Sequence, residues 1–509
     1  MRDDLYSALE AAVPDPKKAL FVLADGSEVT YGETFALAGR IANLLVARGV
    51  VPGDRVAVQV EKPWQAVAVF LATLRAGAVY LPLNAGYTPA EIAYFLGDAE
   101  ARLFVCRPES QATLAPVARE AGVAALETLG NDGSGSLLEA AALESEAFAT
   151  VPRGADDLAA ILYTSGTTGR SKGAMLTHQN LLSNAATLVD FWRFTDRDVL
   201  IHALPIFHTH GLFVAIDTVM LSGGTMLWRT RFDADEVIRL MGRATSLMGV
   251  PTFYTRLVAH EGLTPEAARG MRLFVSGSAP LLAETHQAFF ERTGHRILER
   301  YGMTETCMNT SNPYDGDRRA GTVGLPLPGV EVRVAEAETG RVLGKGEIGV
   351  LEVKGPNVFK GYWRMPEKTA AEFRPDGFFI TGDIAKIADD GYVSIVGRAK
   401  DLIISGGYNV YPKEVESEID ALPGVVESAV IGVPHPDFGE GVTAVVVARP
   451  GEAPDERSVI RALEGSLARY KLPKRVIFTA ELPRNTMGKV QKNVLRDEHA
   501  GLYQTPGAA

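Results

Sequence analysis

Cysteine is almost missing from this chain. Cys106 and Cys307 are the only two among 509 residues, and they stand far apart. Two distant thiols cannot staple a fold, and they make no metal-ligand spacing; they suit a reducing compartment, so a cytoplasmic location is expected. Positive charge is also in deficit: 62 acidic residues outnumber 51 basic ones, for a net charge of −11. Polyanions bind basic surfaces, so no nucleic-acid partner is expected. Small anions stay open, because a single loop can be positive within an acidic protein. No apolar run is long enough for a membrane helix, which needs about 20 residues. The longest, near 66–83, is broken by Arg75, and no membrane partner is expected. Met1-Arg2-Asp3-Asp4-Leu5-Tyr6 has no signal-peptide core, and no internal repeat stands out.

What remains is ordinary globular material: 46% apolar and 22% charged residues, in a chain too long for one core. From Thr30 to about residue 300, helical patterns alternate with short apolar strands. A helix opens at Tyr31-Gly32-Glu33-Thr34; 55–60 and 78–81 read as strands, and 64–74 as a helix. This rhythm predicts an α/β fold of helix-covered, mostly parallel sheets, with ligands beyond the carboxyl ends of the strands. Short strands near 330–335, 349–353 and 392–396 predict a β-rich subdomain. The stretch 124–156 reads as a surface connection. A boundary is expected at 397–401, giving an N-terminal domain 1–398 and a small α+β C-terminal domain 399–509. Within the latter, helices are expected at 413–421 and 455–467 and strands at 427–433 and 442–448. Residues 503–509 should fray.

One segment carries the most chemistry: Tyr163-Thr164-Ser165-Gly166-Thr167-Thr168-Gly169-Arg170-Ser171-Lys172-Gly173. Glycines allow close backbone approach, successive N–H groups form an anion cradle, and hydroxyls and Lys172 add donors. It is not a Walker A loop, because Lys172 follows Ser171 and precedes Gly173. A plain loop of turn formers is the simpler alternative. The apolar run 158–162 just before it favours a phosphate site.

Arg300-Tyr301-Gly302-Met303-Thr304-Glu305-Thr306 comes next. Gly302 beside Tyr301 lets a flat ring stack on the backbone, Thr304 offers a hydroxyl, and Glu305 is a hard ligand suited to Mg²⁺. Val275-Ser276-Gly277-Ser278-Ala279 is a second small-residue strand end. Phe379-Ile380-Thr381-Gly382-Asp383 ends in a carboxylate placed as if at a strand terminus, suited to ribose hydroxyls; an ordinary turn aspartate is the alternative. Arg398 is a cation within reach of the same nucleotide, or a surface ion pair. Lys489, on the turn Pro483-Arg484-Asn485-Thr486-Met487-Gly488-Lys489, can stabilise developing charge. Most lysines are merely solvated.

Together, from Thr30 to Lys489 and in the expected order, these segments resemble the ANL adenylating enzymes: acyl-CoA synthetases, peptide-synthetase adenylation domains and luciferases. The resemblance implies two half-reactions, acid + ATP → acyl-AMP + pyrophosphate, then acyl-AMP + CoA → acyl-CoA + AMP. It implies a mobile C-terminal domain hinged at Lys400. By position, Thr164, Ser165, Gly166, Thr167, Thr168, Gly169 and Lys172 match the loop holding the β- and γ-phosphates. Thr304 matches the α-phosphate contact, and Glu305, with Thr164, the Mg²⁺ site. Tyr301 matches the ring that stacks on adenine, Gly302 and Ser278 match cofactor-binding positions, Asp383 matches the ribose ligand, and Arg398 a second nucleotide contact. Lys489 matches the lysine required for adenylation, which in relatives is a target of a lysine acetyltransferase. Gly406 and Gly407 match the loop that enters for thioester formation. ATP, Mg²⁺ and CoA are the implied cofactors and co-substrates. No protein nucleophile is needed, and Cys307 reads as a packing residue.

The acid is read from Pro205-Ile206-Phe207-His208-Thr209-His210-Gly211 and from Arg300. Many relatives have a small residue where Arg300 stands. A buried guanidinium is costly without an anion, and it grips a carboxylate with two hydrogen bonds. With His208 as a catalytic-site group and His210 as a pocket group, the combination resembles malonyl-CoA synthetases, and Met303 would limit a branch as in methylmalonate. Arg300 paired with Glu299 is the plainer alternative, and Arg229 and Arg231 compete for the second carboxylate. A synthetase for a neutral short or medium acid, a carrier-protein loader and an AMP sensor stay open at this point.

Overall fold

The helix Tyr31–Ala47 begins where the sequence supplies a reciprocal cap. Thr30 Oγ1 accepts from the Glu33 N–H, and the Glu33 carboxylate accepts from the Thr30 N–H, which satisfies two orphan donors of the first turn. Thr88 with Glu91 starts Pro89–Ala99 the same way. The computed structural model describes residues 4–13, 15–164, 171–406, 408–452, 454–464, 466–485 and 488–503.

Among those residues, two large sheets form the N-terminal part. In the nine-stranded one, Leu298–Met303, Leu273–Ser276, Ser246–Gly249, Val199–His202, Thr225–Trp228 and Ala19–Val22 lie side by side in parallel. In the seven-stranded one, Leu158–Thr164, Val79–Pro82, Arg55–Gln59, Ala101–Cys106 and Ala125–Thr128 are parallel. The helix Gln65–Arg75 is buried from Ala66 to Leu74 on every face, as expected of a helix enclosed in a core. A single apolar cluster joins it to both sheets.

The β-rich subdomain is an antiparallel sheet of Glu331–Ala335, Gly349–Lys354, Phe379–Ile387 and Val393–Arg398. Beyond it, Val425–His435 pairs with Gly439–Ala448, and Arg475–Thr479 joins in parallel. Helices Pro412–Asp420 and Glu456–Leu463 close a separate apolar core over that sheet. Among the described residues no helix is long and apolar enough to cross a membrane.

Two expectations need correction. The stretch 124–156 is not only a connection: Ala125–Thr128 is a sheet-edge strand parallel to Ala101–Cys106, and Ser136–Ala141 is a helix. Their flanking Gly and Ser residues mask elements this short. Tyr503 is packed rather than frayed, with its ring on His435 and its hydroxyl 2.8 Å from Thr443 Oγ1. Residues 504–509 lie outside the described residues.

Candidate active site

A cleft of about 300 Å³ opens where the last strands of the β-rich sheet face the C-terminal unit. Tyr301, Gly302, Ser278, Asp383, Arg398 and Lys489 all border it. Asp383 is not strand-terminal, as its motif suggested. It sits inside Phe379–Ile387, directly opposite Arg398 in register. That pairing puts the Arg398 Nε 3.1 Å from Asp383 Oδ1, while the Tyr301 hydroxyl donates to Oδ2 at 2.5 Å. Three residues from separate motifs thus converge on one carboxylate. Lys489 arrives from the C-terminal unit, on a turn where its N–H donates to Asn485 Oδ1 at 2.9 Å. Burial, and then the nearby Arg398 charge, push its ammonium down to about 8.

Deeper in, Glu305 is 5% exposed and its carboxylate accepts from the Tyr362 hydroxyl at 3.0 Å. The same hydroxyl lies 2.7 Å from Glu372, which pairs with Lys172 at 3.2 Å. The Lys172 ammonium rests 4.1 Å from the centre of the Tyr362 ring. Burial raises the Glu305 carboxyl above its ordinary range, and the neighbouring Lys172 charge works against that. Thr164 ends the strand before the loop, its hydroxyl 3.5 Å from the Lys172 carbonyl. Ser165, Gly166, Thr167, Thr168 and Gly169 lie outside the described residues, as does Gly407. No group of three or more metal-ligating side chains occurs among the described residues. One buried carboxylate near a hydroxyl fits a Mg²⁺ that brings its remaining oxygen ligands on phosphates, rather than a resident ion in a protein cage. Gly406 turns the hairpin between Ile403–Ser405 and Tyr408–Val410, bonded to the Phe438 carbonyl and not bordering the cleft. Thr304 is half-buried in the turn after Tyr301.

At the inner wall Arg300 is 3% exposed, and its Nε and Nη2 have no hydrogen-bond partner. It makes no ion pair with Glu299. Alternate residues of a strand point to opposite faces, and Glu299 Oε1 is spent on the Leu281 N–H at 3.0 Å. Burial pushes the Arg300 guanidinium down to about 9, so it is still cationic at neutral pH. His208 and His210 face that charge. Burial first, and Arg300 next, hold His208 down to about 4 and His210 well below the ordinary imidazole range. His210 Nδ1 lies 3.2 Å from Ser278 Oγ, its Nε2 is buried without a partner, and its N–H donates to His208 Nδ1 at 3.3 Å. Ser278 has φ of +72°, a conformation rare outside glycine and common at binding sites. This corner therefore offers unused donors around one cation, a built receptor for an anion.

The two competing arginines are placed elsewhere. Arg229 is committed to Glu236 at 2.5 Å and to two backbone carbonyls, and Arg231 is exposed. Met303 is half-buried, its sulfur 3.9 Å from the Tyr301 hydroxyl, and does not border the cleft. Sequence reading missed Tyr362 and Glu372. The aromatic pair Tyr362-Trp363 was a weak signal for the first, and nothing marked the second.

Residues 9–363 match the family described as AMP-binding enzyme, and residues 414–489 match the AMP-binding enzyme C-terminal domain. The chain is similar to a malonate–CoA ligase of Arabidopsis thaliana, 35% identical over 542 residues, covering 97% of this chain and 88% of that one. It is also similar to the ATP-bound crystal structure of MatB from Rhodopseudomonas palustris, with 62% identity and a TM-score of 0.97 over 99% of this chain and 100% of that one. The apo crystal structure of the same protein, at equal identity and coverage, gives a TM-score of 0.86. The chain thus superposes more closely on the ATP-bound crystal structure than on the apo one. The chain belongs to the family of AMP-binding enzymes.

Proposed function

We propose that this protein joins malonate to CoA at the expense of ATP. A malonate carboxylate oxygen attacks the α-phosphorus, pyrophosphate leaves, and malonyl-AMP forms. The CoA thiol then attacks the malonyl carbonyl carbon, loses its proton, and AMP leaves. The observation that carries the choice of acid is a buried cluster of unpartnered polar atoms: the donors Arg300 Nε and Nη2, and the ring nitrogen His210 Nε2. A neutral acid would leave all of them unsatisfied, at a cost of several kcal/mol. The second carboxylate of malonate satisfies them, and the guanidinium can grip it with two hydrogen bonds. The likeness to a malonate–CoA ligase supports the same reading.

The residue roles are part of this proposal. Tyr301 and Gly302 receive the adenine, with Asp383 and Arg398 on the ribose. Thr304 meets the α-phosphate, and Lys172 and the loop 164–169 meet the outer phosphates. Lys489, at the border of the cleft, supplies charge against the negative charge gathering between acid and phosphate. His208 stays neutral between Arg300 and Lys489 and serves as a polar wall rather than a base. Glu305 and Thr164 would hold Mg²⁺, which supplies charge neutralisation on the phosphates. Residues 1–398 act as one domain and 399–509 as another, turning about Lys400 so that the segment with Gly406 and Gly407 replaces Lys489 for thioester formation. Acetylation of Lys489 by a lysine acetyltransferase would erase its charge and stop the first step; that partner rests on family resemblance. A cytoplasmic setting suits the buried free thiols.

The test is an acid panel. Purified protein with Mg²⁺, ATP and malonate, acetate or butyrate is assayed for pyrophosphate release, then for CoA-dependent AMP release. Arg300→Ala is run beside it. Malonate should lead by more than about tenfold and lose that lead in the variant. Equal rates on all acids, or equal losses, would sink the assignment.

A further inference from the structure

Lys62 follows the strand Arg55–Gln59 of one large sheet, and His202 ends Val199–His202 of the other. Lys62 is 4% exposed and has no carboxylate against it among the described residues. Its ammonium reaches the His202 Nδ1 at 2.8 Å, the His202 carbonyl at 2.9 Å and the Arg229 carbonyl at 2.6 Å. It also rests 4.4 Å from the centre of the Trp228 ring, whose Nε1 donates to the Lys62 carbonyl at 3.0 Å. The Gly211 carbonyl can only accept, so the His202 Nε2, 2.8 Å away, carries the ring proton. Burial keeps this imidazole neutral, which leaves Nδ1 bare to accept from the Lys62 side chain. Burial also holds the Lys62 ammonium well below its ordinary range. The Lys62 N–H and the Gly211 carbonyl together fix the tautomer of His202.

Gly211 is the second residue of the helix His210–Asp217, which His210 opens just after His208. A Cβ at position 211 would stand 2.1 Å from the Pro205 carbonyl oxygen, so the start of this helix is packed closely against the segment before His208. A lysine bonded only to backbone carbonyls would be a strut between two sheets. Here an imidazole is interposed, and its far nitrogen holds the start of the helix that His210 opens. We propose that Lys62 is a positioning residue for acid selection. Through the His202 ring it keeps His208 and His210 registered against Arg300. This rests on the reading that Arg300 and His210 receive the second carboxylate of the acid.

The test is a double-mutant cycle read on two acids, malonate and butyrate, at saturating ATP. Lys62→Met keeps the stem and removes the donors; His202→Phe keeps a ring and removes both nitrogens. Each should lower kcat/KM for malonate about thirtyfold, mostly through KM, and change butyrate less than about threefold. The double variant should be no worse than the poorer single one, because both break one relay. His202→Gln, which keeps an acceptor toward Lys62 and a donor toward Gly211, should stay within about threefold of the parent. Additive losses, equal losses on both acids, or a loss confined to the KM of ATP overturn the proposal. If Lys62→Met does not fold, His202→Phe against His202→Gln decides by the same malonate-to-butyrate ratio. If the parent itself does not prefer malonate, the reading of the acid pocket has failed and this proposal falls with it.

Discussion

Gly277 lies directly against the guanidinium of Arg300: a Cβ built on Gly277 would stand 2.4 Å from both Cζ and Nη1. The missing side chain is the space in which the cation sits. Gly277→Ala should therefore displace Arg300 and lower kcat/KM for malonate about a hundredfold, with butyrate little changed. The fold should survive, because the obstructed atoms belong to a side-chain end and not to backbone. Kinetics on both acids together with a melting curve check this. An unchanged malonate preference would show that Arg300 does not depend on that space.

Asp383 is held from both sides by Arg398 and Tyr301 before any ligand arrives. Asp383→Asn keeps the shape and removes the charge that fixes both partners. The KM for ATP should rise by at least about tenfold, with the KM for malonate nearly constant. A titration of initial rate against ATP measures it. Equal shifts in both KM values would point to a general loosening of the cleft instead.

Lys489 gives the first half-reaction a pH dependence with a definite sign. Its ammonium is lowered to about 8 by burial and by Arg398, so it is charged below that value and neutral above it. Adenylation measured as kcat/KM should fall as pH rises through about 8, and Lys489→Arg should move that limb to higher pH. Lys489→Ala should lose acyl-adenylate formation by roughly a hundredfold or more, yet still convert supplied malonyl-AMP and CoA. Loss of both steps together would contradict a role limited to the first.

Glu299 bears on stability rather than rate. Burial raises its carboxyl to about 8 in the folded chain, opposed by the Leu281 N–H and by Lys413, against an ordinary value of 4.5. Between those two pH values the folded form keeps a proton that the unfolded form has released. Stability therefore decreases as pH rises through the window, at up to about 1.4 kcal/mol per unit. Glu299→Gln keeps the acceptor for Leu281 and should remove this slope. Melting temperatures taken from pH 5 to pH 8 should diverge in favour of the variant. Parallel curves would mean that Glu299 is ionised in the folded protein.

The main elements around the site could be read in advance because their causes are local. A strand of Leu158-Ala159-Ala160-Ile161-Leu162 or a helix opened by Thr30 and Glu33 depends on neighbours a few positions away. The short strand Ala125–Thr128 escaped notice because its burial depends on Ala101–Cys106 beside it and not on its own pattern. Asp383 was placed at a strand end for a similar reason. Gly382 looks like punctuation, but the ladder to Val393–Arg398 carries the strand through it.

Residue types and spacing announced a phosphate loop, a carboxylate for ribose, a lysine near the chain end and an arginine in place of a small residue. They did not say whether Arg300 was paired. Glu299 is adjacent in sequence, and only the alternation of the strand, together with the Leu281 N–H, turns it to the opposite face. Nor could they join Lys62 to His202, which lie 140 positions apart and meet only because two sheets share one core. Short-range chemistry is written in adjacent residues, whereas the desolvation that gives a buried charge its function exists only once distant segments have closed around it.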